Sequence, residues 1–177
     1  MAKQETREML TEAFFALYKE KPVRKISIRE VTEKAGFHRS TFYEYFKDIY
    51  DILEQEEEEI CKLQRELILE RVEEGQIVIG EEAFLEPVKK LFELKGEKIA
   101  VLIGANGDTA FQKKLQDGIK KVIIPVLFQK SGARSDYVAE FISSGILSTY
   151  EIAYENKADI EDVMVTIYPM VSKLFGT

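Results

Sequence analysis

The chain has 177 residues, 45% of them hydrophobic, and a formal charge of −7 at pH 7. That length and apolar content support one or two small domains with their own cores and exclude a disordered tail. Cys61 is the only cysteine and His38 the only histidine, which excludes a disulfide framework or a Cys/His metal centre within one chain.

No apolar run reaches bilayer length, and the opening Met-Ala-Lys-Gln-Glu lacks the apolar stretch of a secretory signal. A cytoplasmic protein with no membrane partner is expected. The negative balance is unevenly placed: residues 1–47 hold ten Lys/Arg against seven Glu, and the remainder holds 15 against 25 acids. A basic head on an acidic body suits a phosphate-bearing partner, because only the surface that faces phosphates has to be positive.

In chain order, Leu10, Phe14 and Leu17 recur at helical spacing and predict an amphipathic helix over Arg7 to Tyr18, ending before Lys-Glu-Lys-Pro. Ser27, followed three residues later by Glu30, is a capping box that starts a second helix at Ile28. Ile28, Val31 and Ala35 form its apolar side, and Gly36 ends it in a tight turn. After Phe37-His38, the polar Arg39, Ser40 and Thr41 lead into Phe42 and Phe46, an i, i+4 pair for the back of a third helix. At 100° per residue, Ser40, Tyr43, Glu44 and Lys47 face away from that pair. Helix, turn, and a short helix with an apolar back and a polar, aromatic front make a helix-turn-helix, whose second helix lies in the major groove.

Over residues 5 to 53, and above all in Ala35-Gly36-Phe37-His38-Arg39-Ser40-Thr41-Phe42-Tyr43-Glu44-Tyr45-Phe46, the sequence resembles the TetR family of bacterial transcriptional regulators. Three positions differ from the family pattern. His38 stands where a Ser commonly begins the recognition helix, Glu44 adds a negative charge to the groove-facing side, and Ile49 stands where a Lys commonly opens the next helix. The resemblance implies a homodimer on a double-stranded DNA operator, with a small ligand in the helical body changing the separation of the heads.

From Ile49 a long helix is predicted through Ile52, Leu53, Ile60, Leu63, Leu67 and Ile68, breaking near Gly75 to Gly80. The acidic run Glu56 to Glu59 within it reads as a solvated face, since consecutive residues point in four directions, with Glu56 alone near the apolar stripe as a marker of the hinge. Pro87 places the next helix either from Glu86 or from an earlier start with a kink. Gly104 to Asp108 is a turn cluster without phosphate-loop spacing, and Asp108 can cap the helix from Thr109 to Lys130, which Pro125 should bend.

In the last two helices, Tyr137 or Val138, Phe141, Gly145, Ser148 and Ile152 line one face, and Ile160, Val163, Ile167, Met170, Val171 and Leu174 line another. These stripes fit either the protomer interior or a four-helix dimer interface; the family resemblance favours a homodimer through about 137–156 and 160–175. Phe84, Phe92, Phe111 and Phe128 fit either an effector pocket or core, so no ligand-binding residue is named.

The expected fold is all-α with about nine helices, residues 1–47 forming the helix-turn-helix DNA-binding domain and 48–177 a helical regulatory and dimerisation domain. At the DNA, Arg39 and Ser40 suit base edges. Thr41, Tyr43, Tyr45, Lys47 and Ser27 suit phosphates, Arg29 reaches base or backbone, and His38 stands at the turn beside the backbone. The function read from this is a sequence-specific transcriptional regulator, a repressor, with no cofactor or metal and no enzymatic activity. Two alternatives stay open: a DNA-bound adaptor whose body binds a protein, and a helical interaction module in which the helix-turn-helix is only structural.

Overall fold

A computed structural model describes residues 3–73, 86–131 and 135–174. Among the described residues there are eight α-helices, one 3-10 turn and no strand. They are α1 (Lys3–Glu20), the 3-10 turn Val23–Lys25, α2 (Ile28–Ala35), α3 (Arg39–Tyr43), α4 (Ile49–Glu73), α5 (Glu86–Ile103), α6 (Thr109–Ser131), α7 (Ser135–Glu155) and α8 (Ile160–Leu174). The helix break placed near Gly75 to Gly80 and the side chain of Pro125 lie outside the described residues.

The head forms around α1. Leu10, Phe14 and Tyr18 are fully buried and meet Val31 of α2, Phe42 of α3 and Phe46 just beyond it in one continuous core. Phe14 and Tyr18 sit with ring centroids 5.4 Å apart, and burial pushes the Tyr18 phenol up to about 12. Ile49 and Ile52 at the start of α4 belong to the same core, so α4 carries the apolar continuity from head to body. Ile49, where the family pattern commonly has Lys, is buried here, so a charge at this position would be stranded.

The acidic run on α4 is not the solvated face expected for it. Glu56 is 1% exposed and Glu57 4%, while Glu58 does face solvent. Glu56 binds Lys98 of α5 at 2.6 Å, Glu59 binds Lys95 of α5 at 2.6 Å, and Glu57 binds Lys114 of α6 at 3.2 Å. Consecutive positions do point different ways around a helix, but α4 is covered on several sides, so three of those directions meet a basic neighbour. Burial pushes the Glu57 carboxyl up, a tendency opposed by Lys114. At Glu59, burial is outweighed by the Lys95 hydrogen bond and the nearby Arg7 and Lys98 charges, which hold the carboxyl below its usual range.

In the body, α5, α6 and α7 close around Leu91, Phe92, Ile99, Leu102, Phe111, Leu115, Ile142, Ile146 and Leu147. Phe92 stacks on Tyr150 at 3.5 Å between centroids, and Phe111 is fully buried. Both are therefore core residues; the side chains of Phe84 and Phe128 lie outside the described set. Asp108 caps α6 as expected, its Oδ1 accepting from the Ala110 N–H at 2.8 Å.

Candidate nucleic-acid interface

The turn that presents α3 is built from three local decisions. The first is the capping box at α2: the Glu30 N–H donates to Ser27 Oγ at 3.3 Å and the Ser27 N–H donates to Glu30 Oε2 at 2.9 Å. Lys21 also pairs with Glu30, and hydrogen bonds from Lys21 and then Ser27 hold this carboxyl at about 2. The second is Gly36 at φ +76°, a left-handed conformation that a Cβ would strain. The Phe37 N–H then donates back to the Thr32 carbonyl at 2.9 Å and reverses the chain. The third is His38, in extended conformation before α3, whose carbonyl accepts from the Thr41 N–H at 3.1 Å.

The back of α3 is closed. Phe42 and Phe46 are buried, with ring centroids 5.5 Å apart. Its front is open: His38, Arg39, Ser40, Tyr43, Glu44 and Lys47 are exposed, and Thr41 and Tyr45 are half-buried at the edges. Among the described residues, the side chains of His38, Arg39, Ser40 and Lys47 make no hydrogen bond or ion pair within the chain. Cations and hydroxyls left without intramolecular partners on a convex, rigidly backed helix are free to meet phosphates and base edges without breaking anything first.

Two expected contacts are engaged inside the chain instead. The Ser27 hydroxyl and N–H both serve Glu30, and Arg29 pairs with Glu33 at 2.6 Å on the exposed side of α2. A carboxylate thus already occupies the N-terminus of α2. A second cap, which the sequence reading missed, closes the start of α4: the Asp51 N–H donates to Asp48 Oδ1 at 2.9 Å, and the Lys47 N–H donates to Asp51 Oδ2 at 2.7 Å. The spacing Asp48-x-x-Asp51 is the signal that would have found it. It differs from a capping box in that the acid at the third helical position reaches back to the N–H of Lys47, one residue before the N-cap.

Residues 10–55 match the family model for bacterial regulatory proteins of the tetR family. The head is that of the TetR family. Two solved structures carry the likeness across the whole molecule. The dihydroxyacetone kinase operon activator DhaS superposes with a TM-score of 0.60 at 15% identity, covering 96% of each chain. A TetR transcriptional regulator from Streptococcus agalactiae 2603V superposes with a TM-score of 0.59 at 24% identity, covering 96% of this chain and 94% of its own. At these identities the likeness is one of fold: a TetR helix-turn-helix head on a helical body. No curated protein matches the sequence. Among the described residues, no helix is long and apolar enough to cross a membrane.

Proposed function

We propose that this TetR-family chain is a sequence-specific, DNA-binding transcriptional regulator acting as a homodimer. In this reading residues 1–47 bind DNA, and residues 48–177 dimerise and hold a small-molecule effector that controls DNA affinity. The observation that supports it best is α3 itself, held from behind by buried Phe42 and Phe46 and presenting an unpaired Arg39, Ser40 and Lys47. Arg39 and Ser40 read base edges; Thr41, Tyr43, Tyr45 and Lys47 hold phosphates; His38 sits beside the backbone. Arg29 joins them once it leaves Glu33, and Ser27 contributes mainly by capping α2.

The dimer reading draws on α7, which has two apolar faces. One is spent on the protomer core through Ala139, Ile142, Ile146, Tyr150 and Ala153. The other leaves Tyr137 81%, Phe141 71% and Ile152 57% exposed, and α8 likewise exposes Val165 and Met170. Exposed Gly145 and Ser148 lie along the same stripe and allow close approach of a second helix. A twofold pair of such helices would bury this face and set two heads about 34 Å apart, one DNA turn.

Repression is the proposed sense, as a head seated on an operator excludes other proteins from it. The fold is shared with a protein named as an operon activator, so a reporter assay has to read both directions. The first test is selection of duplexes from a random library by the purified protein, followed by gel-shift titration at two salt concentrations. A selected sequence bound with steep salt dependence supports the reading; failure to enrich any duplex overturns it.

A further inference from the structure

The geometry points to Arg7 as a positioning residue for the recognition helix, governed by a carboxylate, Glu56, that it shares with Lys98 of the body. This rests on the DNA-binding reading above. Glu56 is 1% exposed and sits on α4 between the two units. Its Oε2 accepts from Lys98 Nζ of α5 at 2.6 Å. Its Oε1 faces the Arg7 guanidinium of α1 at 3.4 Å, yet accepts no hydrogen bond.

Arg7 is held in three directions at once. It donates to Gln55 Oε1 at 3.2 Å, lies 3.7 Å from Glu59, and places its guanidinium carbon 5.7 Å from the centre of the Phe46 ring. Phe46 is the residue that, with Phe42, supports α3 from behind. Lys98 has the mirror arrangement: paired to Glu56, it also lies 5.5 Å from the ring of Phe15 on α1. Each cation therefore touches α4 and an aromatic ring of the head, and the two share one buried carboxylate through its separate oxygens.

A buried carboxylate does not tolerate losing its partner. If α5 moves and draws Lys98 away, the nearby replacement is Arg7, which needs a shift of only about half an ångström to make a full hydrogen bond to Oε1. That shift alters the Gln55 hydrogen bond and the contact with Phe46, and through Phe46 the support of α3. The arrangement offers two discrete states that a body ligand can weight, the requirement for coupling two sites. Lys114 on Glu57 ties α6 to the next position of α4, so both central body helices bear on this stretch.

Three variants test it: Arg7→Gln, Glu56→Gln and the pair together, each assayed on the duplex selected by the unaltered protein. Each single change is expected to weaken specific binding about tenfold. The pair should lose little more than either alone, and the salt slope should stay unchanged because Arg7 does not touch phosphate. Additive losses overturn the relay, as does a slope reduced by about one, which would make Arg7 a phosphate contact. Amide exchange without DNA is read in parallel. Glu56→Gln should speed exchange in residues 39–46 while leaving residues 139–153 protected; unchanged exchange in 39–46 overturns the relay. Failure to select any duplex would count against the DNA-binding reading, and the exchange arm would still decide on the relay.

Discussion

Gly96 of α5 stands where any Cβ would lie 1.9 Å from the Tyr150 hydroxyl of α7. The ring carrying that hydroxyl is stacked on Phe92 and buried, so it has no room to swing aside. Burial also pushes the Tyr150 phenol up to about 12. The missing side chain at Gly96 is thus what lets the helix bearing the proposed dimer face close on the body core.

It follows that Gly96→Ala should destabilise the protein by about 1–3 kcal/mol through overpacking, measured by urea unfolding. Tyr150→Phe added to that variant should recover much of the loss, because the oxygen is the atom in closest conflict. If the double variant is no better than Gly96→Ala, the clash lies elsewhere.

Separate roles for the two sides of α3 predict separate losses. Phe42→Ala removes a fully buried ring and should cost about 3–5 kcal/mol, read as an earlier urea midpoint with DNA binding lost alongside. Arg39→Ala, on the exposed face, should leave the midpoint within about 0.5 kcal/mol and relax sequence choice in a repeated duplex selection. Lys47→Ala should weaken all duplexes alike and lower the salt slope by about one. An exchange of the last two results would reverse the assignment of base and phosphate contacts.

The α2 cap has a pH signature of known sign. The Glu30 carboxyl, held at about 2 in the fold against an ordinary 4.5, stabilises the native state fully above about pH 4.5. This contribution fades as pH falls from there through 2, where the folded form also takes up its proton. The stability gap between the unaltered protein and Glu30→Gln should therefore close over that window in pH-dependent unfolding. Ser27→Ala should cost about 1 kcal/mol and, if Ser27 acts as a cap, change DNA affinity no more than that loss implies.

Glu57 carries the opposite sign. Burial raises its carboxyl above the ordinary value in the folded state, so the ionised form works against folding at neutral pH, and that cost is relieved as pH falls through the raised value. Glu57→Gln should accordingly melt no lower than the parent at pH 7, with the difference shrinking on acidification. A clearly lower melting temperature at pH 7 would show that the Lys114 pair outweighs the desolvation.

The head was legible because its signals are local. Ser27 and Glu30 meet across one helical turn, Gly36 owes its place to its own φ, and Phe42 and Phe46 share a face by spacing alone. Asp108 as the cap of α6 is of the same kind. The acidic run was misread because its partners, Lys95, Lys98 and Lys114, are 36 to 57 residues away. No periodicity reveals that α5 and α6 will cover those faces of α4. The stripe Tyr137, Phe141, Gly145, Ser148, Ile152 was visible as a pattern, but only the folded body shows it facing outward, with the core using the other face of α7.

The sequence by itself determined the start and stop of α2, the turn and the polar front of α3, since capping, backbone preference and i, i+4 spacing act within a few residues, while α1 runs further at both ends and α3 ends before Phe46. Only the tertiary structure decided which charges are buried. It put Glu56 between Arg7 and Lys98, set Lys114 on Glu57, and left Arg39 and Lys47 unpaired. The reason is physical: whether an ion is solvated, paired or free depends on what chain arrives beside it in space, and burial changes the worth of a charge far more than its neighbours in sequence do.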